Sequence, residues 1–105
     1  MTDGTEVKPI HIKAKYVNTD VALLVKHYVA DESPAIVGYE HETGAPLFTA
    51  TVCLPDPPAE GCVWLKGWSE NEGIPEALVE AGVVRLTGRK CYTGYCEAIE
   101  ARLLI

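Results

Sequence analysis

Residues 71–82, with the sequence NEGIPEALVEAG, decide the fold class because they carry the signals of a helix at both ends. Asn71 or Gly73 can cap the amino end, and Pro75 suits the first turn. Acidic residues favour the positive end of the helix dipole, and Gly82 suits the position just beyond the carboxyl end. The stretch therefore predicts one short helix in this chain.

The sequence before this helix alternates between apolar and polar residues, as strands do. Residues 8–16 predict a strand whose inward face carries Ile10, Ile12, Ala14 and Tyr16. Residues 21–29 also fit one face of a helix, but their β-branched and aromatic content favours a strand. Residues 35–41 and 47–54 predict a hairpin, because residues 42–46 between them contain the turn formers Gly and Pro.

The sequence around and after the helix predicts further short strands. They are expected at residues 62–66 and 83–86, with a turn at Thr87-Gly88. The four residues 92–95, Tyr-Thr-Gly-Tyr, predict a last hairpin with Thr93-Gly94 as its loop. The returning strand is residues 95–105, although residues 97–104 would also tolerate a helix. Its inward face is expected to carry Ile99, Ala101, Leu103 and Ile105.

These elements predict an α+β fold: a single small domain over residues 1–105, built from an antiparallel β-sheet with one short α-helix across it. We expect that helix, residues 73–81, to bury Leu78 with Ile74 or Val79. A chain of 105 residues that is 48% hydrophobic can bury one core. Because it has no apolar run near the ~20 residues of a membrane span and no signal-peptide pattern at its start, we expect a cytoplasmic protein that binds no membrane.

The net charge of −6 has the wrong sign for neutralising phosphates, so the sequence predicts no direct nucleic-acid binding. The acids are concentrated in residues 27–84, which carry ten acids, a single base (Lys66) and a net charge of −9. Such a segment can steer the chain toward a basic surface of a partner protein. The alternative is a solvated surface that serves solubility.

The sequence shows no sign of catalysis or of a cofactor. It has no nucleotide-binding, nucleophile-elbow or metalloprotease motif, and its three histidines are dispersed. The four cysteines contain no Cys-x-x-Cys, which argues against zinc. In the predicted hairpin Cys91 faces Cys96 within disulfide reach, but we expect both thiols to stay free in a reducing cytosol. The sequence thus predicts a protein that is not an enzyme, with no catalytic residues, metal or cofactor.

Residues 64–73 form the densest unusual stretch, with two tryptophans and two acids beside the predicted helix. Tryptophan is common at the centre of protein interfaces, and acids at its rim fit a basic partner. The predicted partner-binding residues are Glu40, Glu42, Trp64, Trp68, Glu70, Glu72 and Glu76. The alternative for this stretch is that Trp64 lies in the core and residues 69–72 cap the helix.

Residues 69–73 read SENEG, and residues 78–82 read LVEAG. These two motifs are the most specific part of a resemblance, over residues 45–105, to a family of short proteins carried by bacteriophages, plasmids and other mobile elements. Cys53, Cys91 and Cys96 depart from its pattern. The resemblance implies no catalytic residues.

What the resemblance implies is an inhibitor of host defence, such as an anti-CRISPR protein. Small acidic proteins of mobile elements often act this way, and some mimic the charge of DNA. The expected partner is a defence protein or complex of the host bacterium with a basic nucleic-acid-binding surface, such as a Cas effector. The alternative is an accessory interaction domain of a mobile element with no inhibitory role.

Overall fold

The computed structural model describes the backbone of residues 5–94 and 96–105, and side chains from residue 9 onward within those ranges. These ranges contain seven strands, one α-helix and a 3-10 turn at Ser69–Asn71. In chain order the strands and the helix are β1 Thr5–Lys13, β2 Asn18–His27, β3 Pro34–Glu40, β4 Pro46–Thr49, β5 Cys62–Leu65, α1 Ile74–Glu80, β6 Val84–Thr93 and β7 Cys96–Leu103. The predicted α+β class is confirmed, with the strands in two antiparallel sheets.

Residues 50–52 join the two sheets. The first sheet has the order β1-β2-β3-β4, and the second has the order β5-β7-β6. The Ala50 amide donates to the Ile36 carbonyl of β3 at 2.8 Å, and the Lys66 amide donates to the Ala50 carbonyl at 2.9 Å. Thr51 also forms an isolated bridge with Leu65 of β5. The edge of the first sheet at β4 is therefore linked to the edge of the second sheet at β5.

The helix α1 bridges the two sheets. Among the described residues, β1 is an edge strand of the first sheet and β6 is an edge strand of the second, and α1 contacts both. Gly73 precedes the helix with a φ of 89°, and a Cβ there would stand 3.1 Å from the Ala14 Cβ in the β1–β2 turn. At the other end, the Val83 amide donates to the Leu78 carbonyl at 3.0 Å. The helix is thus fastened at both ends.

The helix signals in the sequence are confirmed. Gly73 is the N-cap, Pro75 lies in the first turn, and Gly82 follows the helix with a φ of 78°. Ile74 and Leu78 are fully buried, whereas Val79 is 40% exposed. Of the two predicted partners of Leu78 in the core, Ile74 is therefore the correct one.

The main core draws on both sheets and the helix. Its fully buried side chains include Ile12, Val21, Leu23, Ile36, Val63, Leu65, Ile74, Leu78 and Ala101. A second, smaller cluster lies on the outer face of the second sheet, where Trp64 and Ala98 pack against Leu54. The second sheet is therefore covered on both faces.

Some predicted strand positions lie in turns instead. The chain turns directly after β1, where the Ala14 amide donates to the Val17 carbonyl at 2.6 Å, so Tyr16 is 62% exposed. Val29 lies in the β2–β3 loop and is fully exposed. The strand β4 ends at Thr49 because the chain then bends into the segment that joins the two sheets. Ile105 follows the end of β7 and is 46% exposed.

The predicted turn at Thr87-Gly88 is instead a bulge within β6. Pairing with β7 jumps from Leu86–Ala101 to Lys90–Ile99, so the three residues 87–89 oppose the single residue Glu100. Gly88 permits this detour because it adopts a φ of 97° without steric cost. The bulge brings the side chains of Thr87 and Arg89 to Glu100.

The last hairpin forms, but its predicted register is wrong. Cys91 pairs with Ala98, and Thr93 pairs with Cys96. The loop begins at Gly94, whose φ of 65° suits a tight hairpin turn; a loop beginning at Thr93 would impose that strain on a β-branched residue. Cys91 and Cys96 are therefore diagonal neighbours, farther apart than direct partners, and both are free thiols.

The same register shift overturns the closing pair of tyrosines that the predicted loop implied. Tyr92 pairs with Glu97, and Tyr95 lies outside the described residues. β7 is a strand over Cys96–Leu103, so the alternative helix over residues 97–104 is excluded. Within the described ranges no helix is long and apolar enough to cross a membrane, since α1 has seven residues.

Candidate interaction surface

Four acidic side chains form a ridge along the 3-10 turn and α1. This acidic ridge consists of Glu70, Glu72, Glu76 and Glu80, and all four side chains are exposed. Residues 70–80 contain no basic residue. Glu76 and Glu80 are four residues apart in α1, so they lie on the same face of the helix. The ridge therefore presents four carboxylates to solvent, of which Glu72 pairs with Lys15 of the β1–β2 turn.

The backbone under the acidic ridge is held against the first sheet. Asn71 is 1% exposed, and its side-chain amide donates to the Thr49 carbonyl at 2.7 Å. The backbone amide of Lys15 donates to the Glu72 carbonyl at 3.3 Å, and the side-chain ammonium group of Lys15 lies 3.4 Å from the Glu72 carboxylate. These contacts fix the position of the ridge before any partner binds.

A cleft of mixed charge lies on one side of α1, facing β1. Its lining includes Glu76 and Glu80 from the helix and His11 and Lys13 from the strand. The His11 ring nitrogens lie 2.9 Å from the carboxylate of Asp20 and 2.9 Å from the side-chain oxygen of Asn18. Hydrogen bonding to Asp20 and then to Asn18 raises the pKa of His11. This cleft is therefore less negative than the ridge itself.

An apolar groove lies on the other side of α1, facing β6. Its six lining residues are Pro75, Glu76, Val79, Glu80, Leu86 and Ile99, around a volume of about 260 Å³. Val79 and Leu86 are 40% and 49% exposed, respectively. We call this apolar groove the α1–β6 groove. Since Glu76 and Glu80 line both this groove and the mixed cleft, the acidic helix face separates the two.

Of the other predicted contact residues, Glu40 supports a turn. Its carboxylate accepts hydrogen bonds from the amides of Thr43 and Glu42, each at 2.9 Å, and from the Thr19 hydroxyl at 3.0 Å. Hydrogen bonding from Thr43, followed by Thr19, lowers the pKa of Glu40. Glu42 is exposed in the same turn. Changing Glu40 would therefore damage the hairpin as well as the surface charge.

The two tryptophans do not form an exposed anchor. Trp64 is 1% exposed, so its burial removes it from the predicted contact surface and favours the alternative interpretation that placed it in the core. Its indole N–H donates to the Asp56 carbonyl at 2.8 Å. Trp68 is half-buried and packs against the same outer cluster.

Three further acids of the middle segment lie apart from the ridge. The β1–β2 turn, which contacts the ridge, lies at one end of the first sheet, and the β2–β3 loop lies at the opposite end. There Asp31, Glu32 and Glu60 line a separate polar cleft. Hydrogen bonds from the Ser33 hydroxyl and amide lower the pKa of Asp31. The acidic middle of the sequence thus divides into separate surfaces.

One carboxylate is buried, and its contacts are structural. Glu100 is 2% exposed and accepts hydrogen bonds from the Ala59 amide at 2.9 Å, the Thr87 hydroxyl at 2.6 Å and the Arg89 guanidinium at 2.9 Å. Burial opposes its ionisation, but the Ala59 and Thr87 hydrogen bonds and the charge of Arg89 outweigh it and lower the pKa of Glu100. The Arg89 guanidinium also lies 5.3 Å from the Trp64 ring centre. This cluster fastens the loop before β5 over the second sheet.

The described part of the chain contains no group of three or more His, Cys, Asp and Glu side chains able to hold a metal ion. The sequence did not identify Glu80, Val79 or Leu86 as surface residues of interest. The four-residue spacing from Glu76 was a usable signal for Glu80. No sequence signal indicated Leu86, because the groove that it lines forms only where β6 meets α1.

No protein-family model, curated protein or solved structure matches this chain. The resemblance to proteins of mobile elements therefore stays a prediction.

Proposed function

We propose that this chain is a non-catalytic inhibitor that docks its acidic ridge on a basic, nucleic-acid-binding surface of a host defence protein. The ridge would occupy positions that the partner otherwise offers to phosphates, which is electrostatic complementarity used for competition. The observation that carries the proposal is the set of exposed carboxylates at Glu70, Glu72, Glu76 and Glu80 on a firmly held backbone.

Glu76 lies in the first turn of α1 and suits the helix dipole, but the placement of Glu80 does not serve the stability of the helix. Glu76 and Glu80 repel each other at a four-residue spacing, which costs a few tenths of a kcal/mol. Glu80 also lies in the last turn of α1, where the helix dipole favours a cation, and that turn has no basic residue. A charge arrangement that weakens its own helix is expected where the surface has a binding role.

The class of partner rests on the resemblance to mobile-element proteins. Inhibitors of host defence in that setting include anti-CRISPR proteins, whose partners are effectors with Lys- and Arg-lined channels for nucleic acid. We therefore propose a Cas effector as the partner and the cytoplasm of the host bacterium as the place of action. The function requires neither a cofactor nor catalysis by this chain.

A competition measurement tests the proposal. Purified Cas effectors of different types are mixed with labelled target DNA, and the chain is added at increasing concentration. We expect the chain to reduce DNA binding by one effector, and the Glu76→Lys/Glu80→Lys variant to need about tenfold more protein, since one tenfold step is about 1.4 kcal/mol. Undiminished DNA binding by every effector would refute the proposal.

The matched control reverses two acids at the other end of the molecule. Glu32 and Glu60 are exposed and lie in the separate polar cleft, so Glu32→Lys/Glu60→Lys makes the same change in net charge away from the ridge. We expect this variant to compete as the wild type does. Equal loss in both variants would mean that total charge, and not the ridge, governs binding.

A further inference from the structure

The α1–β6 groove is an apolar surface with an acidic rim. Pro75 and Val79 are four residues apart in α1 and form its helical wall, and Leu86 and Ile99 form its strand wall. Leu86 pairs with Ala101, which is fully buried, so Leu86 lies on the core face of β6. It is nevertheless 49% exposed because β6 is the outermost strand there. At the groove, apolar residues on the core face of β6 thus reach the surface beside α1.

The size of the groove limits what it can hold. Its volume of about 260 Å³ lies below the roughly 300–1,000 Å³ of pockets that enclose drug-sized ligands. The bulge at residues 87–89 follows Leu86 directly and interrupts the regular edge of β6. Because bulges twist an edge away from further pairing, a long added strand is disfavoured. One apolar side chain of a partner fits these limits.

The charge around the groove selects the chemistry of its occupant. Glu76 and Glu80 are the charged residues among its six lining residues, and no base is among them. A second copy of this chain carries the same net charge of −6, so like charges oppose self-association there. An apolar side chain next to lysine or arginine satisfies both the apolar walls and the acidic rim.

We propose that the α1–β6 groove anchors the partner by taking one apolar side chain that is flanked by lysine or arginine. This inference rests on the proposed function, because it adds an apolar anchor to the basic surface that the acidic ridge meets. The ridge attracts and orients the partner, and the groove holds it. The groove therefore controls the dissociation of the complex more than its association.

The test uses the full chain, labelled for NMR, and short synthetic peptides as probes. One peptide carries leucine between two lysines, a second replaces this leucine with serine, and a third replaces the lysines with glutamates. Peptides are added to about 5 mM, which populates complexes with a Kd on the order of 1 mM. We expect the leucine–lysine peptide to shift the amide signals of residues 76–80, 86 and 99, and the other two to leave them unchanged.

Variants assign the binding to the groove. Val79→Ser and Leu86→Ser change exposed walls and should leave the fold intact, and each should raise the Kd of the leucine–lysine peptide about tenfold. Val29→Ser is the matched control, because Val29 is fully exposed and distant in the β2–β3 loop. An unchanged Kd in both groove variants, or no shift with the leucine–lysine peptide, would overturn the inference.

The peptides also separate this inference from the proposed function. If the serine peptide binds as well as the leucine peptide and both weaken with salt, charge attraction to the ridge is supported and the groove anchor is refuted. If the leucine–lysine peptide binds the groove but no effector loses DNA in the competition measurement, the anchor stands and the proposed partner class fails.

Discussion

Glu100 is a buried charged residue in β7. The sequence predicted which residues of this strand face the core, but it did not predict that the opposite face is covered. The alternation of β7 correctly directed Ile99, Ala101 and Leu103 toward the main core. It implied that Glu100 faces solvent, but the loop before β5 covers that outer face. The sequence does not reveal this covering, because it depends on the bulge that brings Thr87 and Arg89 to one carboxylate.

The Glu100→Gln substitution tests this buried cluster. It removes the charge that accepts hydrogen bonds from Arg89, Thr87 and Ala59, and we expect a loss of about 1–3 kcal/mol in the free energy of unfolding at neutral pH. Glu97→Gln is the control on the same strand, because Glu97 pairs loosely with Lys90 at 3.7 Å, and it should cost at most about 0.5 kcal/mol. Equal losses in urea melts would contradict the assignment.

The lowered pKa of Glu100 sets the pH dependence of this difference. A carboxyl group with a depressed pKa in the folded state stabilises the protein above its ordinary pKa and loses that contribution as pH falls through the folded value. The stability gap between wild type and Glu100→Gln should therefore be full at neutral pH and should shrink in acid. If the difference in unfolding free energy between the two proteins stays constant from neutral pH into acid, ionised Glu100 is not its source.

Among the elements, α1 is the one that the sequence predicted most completely. Its boundaries follow from Gly73, Pro75 and Gly82, which act locally and so are visible without the rest of the fold. The hairpin from β3 to β4 was predictable for the same reason. The register of the last hairpin was missed because one positive φ, at Gly94, decides between two neighbouring loops.

Leu78 and Val79 provide a matched test of the helix face. Leu78 is fully buried, and Leu78→Ala should reduce the free energy of unfolding by about 2–4 kcal/mol through loss of core packing. Val79 is 40% exposed at the groove, and Val79→Ala should cost no more than about 0.5 kcal/mol. If Val79→Ala lowers the free energy of unfolding more than Leu78→Ala does in denaturant melts, the face of α1 assigned to the core is the wrong one.

The glycines on either side of α1 separate backbone strain from packing. Both have a φ in the left-handed region, but a Cβ on Gly82 meets nothing within 4 Å, whereas one on Gly73 meets the β1–β2 turn at 3.1 Å. Gly82→Ala should cost about 1–2 kcal/mol from strain alone. Gly73→Ala should cost more, because it also forces the helix away from β1. Equal costs in thermal melts would show that this contact does not hold the helix.

At the scale of the whole molecule, the fold determines which charged residues share a surface, and their order in the sequence does not. The sequence predicted an acidic middle, and its candidates Glu70, Glu72 and Glu76 are exposed along the 3-10 turn and α1. Trp64 was misplaced because a tryptophan in a short strand fits a surface or a core equally well until its neighbours are known. The division of the acids between two ends depends on sheet topology and was not predictable from composition.

Phage plating tests the central claim, that the acidic ridge inhibits host defence, most directly. The chain and its two double reversals are expressed in a panel of bacteria, each with one active CRISPR system and a phage that it targets. The account predicts that the wild type and Glu32→Lys/Glu60→Lys restore plating in at least one host, while Glu76→Lys/Glu80→Lys, folded and equally abundant, leaves the host immune. Immunity in every host with the wild type, or full plating with the ridge reversal, would contradict it.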